Sequence, residues 1–488
     1  MTAPLWTLTA AESRRRIAAG EITAQELLSA HLERIDAVEP RVHAFLARSA
    51  EAARRDAEAV DGSRARGELA PLAGAVLGVK DVIAGLDHPT TAASRILEGY
   101  VSPYEATSLR RARARGAVVV GKTNLDEFAM GSSSEHSAFG PTLNPWDLER
   151  VPGGSSSGSA AAVAAGMAQV ALGTDTGGSI RQPASFCGTF GLKPTYGRVS
   201  RYGVVAFASS MDQVGPLGRS VEDVARLFEA IAGGDELDAS SAAEPVEPWT
   251  GSDDVRGLAF AVPDEYVGAG VDPGVARVVR EAARALLDAG AVERRVALPA
   301  TEHALDAYYL VADAEASSNL GRYDGLRYGP RRAVDAPEAA AWISAYRGRS
   351  FGTEVKRRIM LGTHVLSAGY YDAYYLRAMR VRALIRRELL AALETVDFLL
   401  TPTSPVVAFR LGERVDDPLA MYAVDILSVT ANLAGLPAMS VPAGLHQGLP
   451  VGVQLMGRPF QETLLFRAAE ALSRRLPQPA AWEAGAVR

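Results

Sequence analysis

The sequence predicts an α/β fold in which a mixed β-sheet is covered by helices, with a helical segment at the N-terminus. Short apolar runs at 76–82, 116–120 and 169–172 alternate with amphipathic stretches, which is typical of strands packed between helix layers. Near the end of the chain, strand-like runs at 438–441 and 451–455 are joined by a turn rich in Gly and Pro. Because such a hairpin pairs antiparallel strands, we expect the sheet to be mixed rather than purely parallel.

The N-terminal segment, residues 1–62, is predicted to be helical and to pack on the main domain. Thr9 and Thr23 are each followed three residues later by a glutamate, which is the spacing of a capping box. Residues 24–38 place apolar side chains on one face at helical spacing, and Pro40 is expected to end that helix. We therefore expect this segment to add a helical layer to the sheet.

The remainder of the chain, residues 63–488, is expected to form one large α/β domain. It shows no internal repeat at a fixed period. The stretch 235–254 is rich in Ala, Ser, Glu and Pro and is expected to be a surface excursion. Further elements are predicted as helices at 50–60, 108–115, 157–167, 221–232 and 273–289 and as a strand at 258–262.

Composition excludes several functional classes. The chain has 488 residues, a net charge of −6 and a single cysteine, Cys187. One cysteine cannot build a disulfide framework or a cysteine-rich metal site, and an acidic chain is not by itself an electrostatic nucleic-acid binder. The longest apolar run, 160–172, is too short to span a bilayer, and the N-terminus lacks a secretory signal. We expect a soluble cytoplasmic protein with no membrane association.

Lysine is rare in this chain. Of 51 basic residues only four are lysines, which leaves 47 arginines. The four are Lys80, Lys122, Lys193 and Lys356. A desolvated lysine can lose its proton and act as a base, whereas arginine cannot. Each lysine is therefore a position at which base chemistry has to be considered.

Lys122 lies in a literal match to the phosphate-binding Walker A pattern. Residues 116–123 read Gly-Ala-Val-Val-Val-Gly-Lys-Thr. A phosphate-binding loop must turn its amides inward between a strand and a helix, but three consecutive valines are strand sequence and no clear helix follows. We therefore expect Lys122 to be structural and no nucleotide to bind there.

Histidines offer no catalytic or metal motif. The seven are scattered along the chain, and none has the spacing of a metal-binding helix or lies in a nucleophile elbow. No metal site is expected, and no local motif supports a Ser-His-Asp hydrolase.

Two clusters rich in serine and glycine carry the strongest chemical signal. They span residues 152–159 and 173–181. In the second, Ser179 directly follows two glycines that let backbone amides approach a ligand closely. Such a serine could be a nucleophile with an oxyanion hole built from its own loop. Without a histidine it needs another base, and Lys80, at the end of an apolar run, is placed where desolvation would lower its pKa.

Together these residues resemble the amidase signature family. The resemblance rests on Lys80, on Gly153-Gly154-Ser155-Ser156, and on Gly177-Gly178-Ser179 with Arg181 and Pro183. One departure is Ser157, which stands where the family pattern usually has a glycine. The resemblance implies a Ser–cis-Ser–Lys triad, in which Ser179 is the nucleophile, Ser155 lies on a cis peptide bond and relays the proton, and Lys80 is the base. It also implies an oxyanion hole formed by the amides of Thr176, Gly177, Gly178 and Ser179.

Longer motifs narrow the resemblance to one branch of that family, the glutamine-hydrolysing subunits of tRNA-dependent amidotransferases. These motifs lie at 190–203, 208–216, 314–320, 354–359 and 421–425. The matched positions imply a glutamine site in which Arg358 binds the α-carboxylate, Asp425 binds the α-ammonium group and Tyr309 helps to close the pocket. One fixed cation and one fixed anion suit a free amino acid, since the arginine fork matches a carboxylate.

The resemblance also implies partners. A B subunit would bind the tRNA and use ATP and Mg²⁺ to activate its mischarged end, and a small C subunit would clasp both chains. This chain would need no cofactor and would supply ammonia from glutamine. Two alternatives stay open: a stand-alone amidase acting on aliphatic or aryl amides, and a non-catalytic scaffold subunit.

Overall fold

A computed structural model describes residues 3–331, 334, 336, 338–478 and 480–487. Within these residues eleven strands form one sheet. The strands are β1 (Phe45–Arg48), β2 (Val76–Lys80), β3 (Val118–Thr123), β4 (Val170–Asp175), β5 (Phe190–Lys193), β6 (Gln213–Gly218), β7 (Ala259–Ala261), β8 (Val292–Glu293), β9 (Phe398–Pro402), β10 (Ala438–His446) and β11 (Leu449–Gly457). Their order across the sheet is β1-β3-β2-β4-β6-β5-β10-β11-β9-β7-β8.

The sheet is mixed, as the sequence predicts. Strand β2 runs parallel to both β3 and β4, and β7 runs parallel to β8 and β9. The predicted hairpin of β10 and β11 is present, and its strands pair antiparallel from Ala438–Met456 to His446–Leu449. Because β4 and β6 also pair antiparallel, β4 joins the parallel strands to the antiparallel centre of the sheet.

Helices cover both faces of the sheet. They are α1 (Ala10–Ala19), α2 (Ala24–Val42), α3 (Ala50–Ala65), α4 (Thr107–Ala114), α5 (Ser157–Ala164), α6 (Arg181–Cys187), α7 (Val221–Ile231), α8 (Pro273–Asp288), α9 (Ala304–Asn319), α10 (Ala339–Ser350), α11 (Thr353–Val365), α12 (Arg377–Thr395), α13 (Pro418–Tyr422), α14 (Val429–Ala434), α15 (Glu462–Ser473) and α16 (Ala481–Ala484). A 3₁₀ turn at Ala423–Asp425 separates α13 from α14.

The N-terminal segment is helical, as expected, with two departures. Thr23 and Glu26 form the predicted capping box, but α2 runs through Pro40 to Val42. Pro40 lies in the last turn of α2, where one missing amide costs little, and His43 ends the helix in the left-handed conformation. The segment also contributes strand β1, which pairs antiparallel with β3 at the sheet edge. No strand was predicted there.

Alternate residues along the central strands pack into different hydrophobic clusters of the core. In β2, Val76 packs with the apolar faces of α2, α3 and α5, whereas Leu77 and Val79 pack in the cluster that includes α9 and α12. In β9, Leu399 belongs to that second cluster, and its two neighbours pack with α8 and α15. Such alternation is the two-residue period of a strand buried on both faces. No helix among the described residues has both the length and the apolarity needed to cross a bilayer.

The Walker-like segment is a strand, as predicted. Residues 118–123 form β3, and every one of them is buried. The Lys122 ammonium group forms an ion pair of 2.8 Å with Asp81 and donates to Thr90 at 3.0 Å. Lys122 is therefore a structural cation inside the sheet domain.

Candidate active site

Lys80, the last residue of β2, is the buried base candidate. Its side chain has no exposed surface. The Nζ atom lies 2.8 Å from Ser155 Oγ, 2.9 Å from Ser156 Oγ and 2.8 Å from Thr174 Oγ1. All three hydroxyls can accept from an ammonium group or donate to a neutral amine. The structure thus places Lys80 and Ser155 in direct contact, together with the hydroxyls of Ser156 and Thr174, to which the sequence analysis assigned no role.

The protonation state of Lys80 follows from its burial. Desolvation lowers the pKa of this lysine to about 7, although the nearby carboxylates of Asp126, Asp175 and Asp212 favour the charged form. A lysine with this pKa is neutral in a large fraction of molecules near neutral pH, which a general base requires.

Ser155 follows two glycines, Gly153 and Gly154, against which other side chains pack closely. The Gly154–Ser155 peptide bond is cis. A β-carbon on Gly154 would collide with the carboxylate of Asp126, and one on Gly153 would collide with the amide of Gln182. The N–H group of Gly154 donates to Gln182 Oε1 at 2.8 Å. The two glycines are therefore required by the close approach of these side chains.

Ser179 lies on the turn between β4 and α6. The N–H group of Ser156 donates to the Ser179 carbonyl at 3.0 Å, which brings the two serine-rich loops together. Within the described chain the Ser179 hydroxyl has no hydrogen-bond partner, and this residue is 9% exposed. Ser179 is thus a partly accessible hydroxyl beside the buried Lys80–Ser155 pair.

The oxyanion-hole amides implied by the resemblance differ in their availability. The Gly178 N–H donates to Asp175 Oδ1 at 2.9 Å, whereas in the described chain the N–H groups of Gly177 and Ser179 have no partner. The Thr176 hydroxyl donates to Asp212 at 2.7 Å and so anchors the start of the turn. The turn offers the Gly177 and Ser179 amides to a developing negative charge, while the Gly178 amide is occupied by Asp175.

Arg358 lies on α11, buried among aromatic rings. Its guanidinium carbon lies 5.1 Å from the ring centre of Tyr309, 5.2 Å from that of Tyr422 and 5.5 Å from that of Phe207. Its Nε atom donates to Glu354 Oε1 at 2.8 Å. Within the described chain its two Nη groups have no hydrogen-bond partner, so the guanidinium fork is free to bind a carboxylate through both.

Asp425 ends the 3₁₀ turn and is also buried. Its Oδ2 atom accepts a hydrogen bond of 2.5 Å from Ser132 Oγ. Burial raises the pKa of this carboxyl to about 7, although the Ser132 hydroxyl and the Arg358 charge favour the ionised form. A cationic ligand group would favour the ionised form further. Within the described chain the second oxygen, Oδ1, has no partner.

Tyrosine rings connect Arg358 to the turn that carries Ser179. The Tyr309 ring stacks on Tyr422, with ring centres 4.0 Å apart, and Tyr308 meets Tyr309 edge-on at 5.0 Å. Tyr308 in turn packs against Gly177, since a β-carbon there would lie 2.5 Å from the Tyr308 hydroxyl oxygen. These ring contacts thus connect Arg358 and Tyr309, two of the three predicted substrate-binding residues, to the turn.

Ser428 ties the Asp425 segment to the same turn. Its hydroxyl donates to the Gly177 carbonyl at 2.5 Å and contacts the Asp425 carbonyl at 3.0 Å. The residues predicted from distant parts of the sequence therefore lie in one connected region. Ser156 connects Lys80 to the Ser179 backbone, and Ser428 connects Asp425 to Gly177.

Several residues of this region were missed by sequence reasoning. For Glu354 a signal existed, since it lies four residues before Arg358 on the same helix. Ser156, Thr174 and Tyr422 lie within clusters or motifs that the sequence analysis names, but it assigned them no role. The others lie far from their partners in sequence and carry no local motif; they are Ser132, Gln182, Tyr308 and Ser428. Among the described residues no group of three or more His, Cys, Asp or Glu side chains is arranged to hold a metal ion.

Comparison with known proteins defines the class. The amidase family model matches residues 26–466, and the chain belongs to that family of enzymes. The chain is also similar to the A subunit of glutamyl-tRNA(Gln) amidotransferase from Moorella thermoacetica, with 57% identity over 470 residues, which is 96% of each chain.

Solved structures agree with this similarity. The chain matches the crystal structure of the A subunit of glutamyl-tRNA(Gln) amidotransferase from Thermotoga maritima with a TM-score of 0.82 and 44% identity, covering 99% of both chains. It also matches native peptide amidase from Stenotrophomonas maltophilia with a TM-score of 0.79 and 33% identity, covering 97% of this chain and 98% of that one. The amidase-signature α/β fold expected from the sequence is confirmed, and the similarity in sequence is greater for the amidotransferase chain.

Proposed function

We propose that this chain is the glutamine-hydrolysing subunit of a tRNA-dependent amidotransferase. The observation that carries the proposal is that Arg358 and Asp425, a buried guanidinium and a buried carboxyl, are both connected through neighbouring side chains to the turn that carries Ser179. Each has hydrogen-bonding capacity that the described chain leaves unused. A free α-amino acid carries the two complementary charges, whereas a simple amide carries neither.

The proposed reaction starts at Ser179. Its Oγ atom attacks the side-chain amide carbon of glutamine, and its proton passes through Ser155 Oγ to neutral Lys80 Nζ. The negative charge that develops on the amide oxygen is stabilised by the Gly177 and Ser179 amides. The proton then moves to the amide nitrogen, the C–N bond breaks, and ammonia leaves a γ-glutamyl ester on Ser179.

A water molecule completes the cycle. Lys80, neutral again, accepts a proton from water through Ser155 as the oxygen attacks the ester carbon. Glutamate leaves and Ser179 Oγ recovers its proton, so the sum is glutamine plus water to glutamate plus ammonia. The base and the charge stabilisation both come from the protein chain in this scheme.

The ammonia is used elsewhere in the proposed assembly. A B subunit binds the tRNA and spends ATP, with Mg²⁺, to activate its glutamyl or aspartyl end, and a C subunit clasps both chains. This chain is acidic, with a net charge of −6, and is poorly suited to hold tRNA by itself. We place the assembly in the cytoplasm, where protein synthesis consumes the product.

The decisive experiment measures ammonia release from glutamine. The chain alone is expected to release it slowly, and the full mixture with B and C subunits, ATP and glutamyl-tRNA(Gln) much faster, with matching formation of glutaminyl-tRNA. Ser179→Ala is expected to abolish release in both settings. Glutaminase activity that survives Ser179→Ala would falsify the nucleophile assignment.

The second candidate is a stand-alone amidase, which the similarity to a peptide amidase favours. Such an enzyme shares the triad but has no use for the Arg358–Asp425 pair. Equal turnover of simple amides and glutamine, with no response to the partner subunits, would favour it. A scaffold without catalysis would show no turnover with any amide.

A further inference from the structure

Gln182 is a fully buried glutamine that none of the proposed catalytic steps uses. It is the second residue of α6, three positions after Ser179. Its backbone N–H donates to the Gly178 carbonyl at 2.8 Å, so its main chain is attached to the nucleophile turn. Its side chain hydrogen-bonds to two other loops.

The two ends of the Gln182 amide have different partners. The Oε1 atom accepts from the Gly154 N–H at 2.8 Å, next to the peptide bond that carries Ser155. The Nε2 atom donates to the Ser132 carbonyl at 3.1 Å. One partner is a donor and the other an acceptor, so a carboxylate or an ammonium group at this position could satisfy only one of them.

Ser132 extends the connection to the substrate side. Its hydroxyl donates to Asp425 Oδ2 at 2.5 Å. The Gln182 side chain thus lies between the loop of Ser155 and the loop of Ser132, which binds Asp425. Every group in the series from Gly154 through Gln182 and Ser132 to Asp425 is buried, so water does not compete for these bonds.

We propose that Gln182 is a positioning residue that holds Ser155 and Asp425 in fixed positions relative to each other. The Asp425 half of this inference rests on the proposed function, because it assumes an α-ammonium group on the substrate. The Ser155 half requires only that Ser179 is activated through the relay. Loss of the Gln182 amide should therefore disturb nucleophile activation and glutamine binding together.

The test uses the full chain, alone and co-purified with its partner subunits, and two readouts. The first is the rate at which a fluorophosphonate labels Ser179, which needs an activated serine but no α-ammonium group. The second is the KM for glutamine. Gln182→Met, which keeps the volume and removes both hydrogen bonds, is expected to slow labelling at least tenfold and raise the KM at least tenfold.

A matched control is available at Gln169. This glutamine is equally buried and also bridges separate segments, accepting from the Val76 N–H and donating to the Leu8 carbonyl and the Ser13 hydroxyl. Gln169→Met is expected to leave labelling and KM within twofold of the wild type. Equal losses in Gln169→Met and Gln182→Met, or wild-type values in Gln182→Met, would overturn the inference.

Two further variants test the hydrogen bonds to Gly154 and Ser132 separately. They also keep the inference testable if the Gln182→Met chain fails to fold. Gln182→Glu keeps an acceptor for Gly154 and loses the donor to Ser132, so labelling is retained and the KM rises. Ser132→Ala is expected to do the same. If either variant loses labelling without a change in KM, the Gly154 bond does not serve Ser155 and the Ser132 bond does not serve Asp425 as proposed.

Failure of the proposed function gives a different result. A wild-type chain that is labelled at Ser179 yet does not hydrolyse glutamine, with or without partners, contradicts the proposed function. The labelling rates still decide whether Gln182 positions Ser155: a tenfold loss in Gln182→Met supports it, and an unchanged rate overturns it.

Discussion

Arg358 and Glu354 lie one helical turn apart on α11 and are joined by a hydrogen bond of 2.8 Å from Nε to Oε1. The Tyr422 hydroxyl donates to the same carboxylate oxygen at 2.7 Å. Burial raises the pKa of Glu354, but the Arg358 charge and these hydrogen bonds outweigh it and lower the pKa to about 2. Glu354 is therefore ionised at neutral pH and holds the guanidinium group by its Nε edge, which leaves the fork for a ligand.

Glu354→Gln is expected to weaken substrate binding more than catalysis. A neutral amide keeps an acceptor for Arg358 but loses the charge-assisted part of the bond, which holds the guanidinium less firmly. We expect the KM for glutamine to rise about tenfold, equivalent to about 1.4 kcal/mol, with kcat within about twofold. Steady-state kinetics of ammonia release measure both constants.

Glu222 gives the matched control, since it forms an i,i+4 pair with Arg226 on the partly exposed side of α7. Glu222→Gln is expected to change neither constant. A Glu354→Gln enzyme with an unchanged KM would show that Arg358 is oriented by its aromatic neighbours alone.

The pH dependence is expected to report Lys80. Burial lowers the pKa of this amine from 10.5 to about 7, so its neutral, basic form predominates above pH 7 and is lost below it. The rate of Ser179 labelling by a fluorophosphonate should therefore rise with pH through about 7 and then level off. Lys80→Arg is expected to remove nearly all labelling, because arginine stays protonated.

Lys193 provides the control for this profile. Burial also lowers its pKa to about 7, and it donates only to the Pro194 carbonyl among the described residues. Lys193→Met is expected to keep the rise near pH 7 if Lys80 is the base. If the Lys193→Met enzyme loses the rise near pH 7, the titrating group is Lys193 and not Lys80.

Asp425 is expected to add a second pH effect, on the KM for glutamine. Its carboxyl, with a pKa raised to about 7 by burial, is neutral below that pH and cannot pair with an ammonium group. We expect the KM for glutamine to increase as pH falls below 7, while the KM for glutaric acid monoamide, which lacks the α-amino group, does not. Parallel KM profiles for the two substrates would exclude this role for Asp425.

The sequence predicts the parts of the site that depend on local pattern. The alternation of strands and helices, the buried lysine at the end of β2 and the glycine turn before Ser179 are all visible in short stretches. Asp425 and Arg358 were predicted only through resemblance, because a charged residue on a helix or turn has no local mark of its ligand. Ser132 and Gln182 could not be predicted at all, since their roles come from contacts between segments that the fold alone brings together.

The same limit explains strand β1. Residues 45–48 are too few to show a strand period, and their pairing with β3 is a long-range event. By contrast, the strand interpretation of the Walker-like segment could be made locally, because three consecutive β-branched valines favour a strand over a phosphate loop.

Lys122 should matter for stability and not for nucleotide binding. Its removal leaves Asp81 buried without its ionic partner, which typically costs about 3–5 kcal/mol. Lys122→Met is expected to lower the thermal unfolding midpoint clearly, and adding Asp81→Asn should recover part of the loss. Isothermal titration of the isolated chain with ATP is expected to show no binding; binding that Lys122→Met abolishes would restore the phosphate-loop interpretation.

Gly177 should be irreplaceable because of Tyr308. A β-carbon at this position would lie 2.5 Å from both Cζ and Oη of that ring, closer than real atoms approach. Tyr308 is 4% exposed and packs edge-on against Tyr309, so the ring cannot simply move away. The turn that carries Ser179 must shift instead, and with it the Gly177 and Ser179 amides that are proposed to bind the oxyanion.

Gly177→Ala is accordingly expected to lower kcat at least about 100-fold, equivalent to about 2.7 kcal/mol of lost transition-state stabilisation. Tyr308→Ala alone should reduce activity less, and the double variant should be more active than Gly177→Ala, because the clash is then absent. Gly62→Ala on α3, where a β-carbon would make only an ordinary contact of 3.7 Å with Arg66 Nη1, serves as the control for the added methyl group and should keep wild-type kcat. If the double variant is no more active than Gly177→Ala, the turn needs glycine for a reason other than contact with Tyr308.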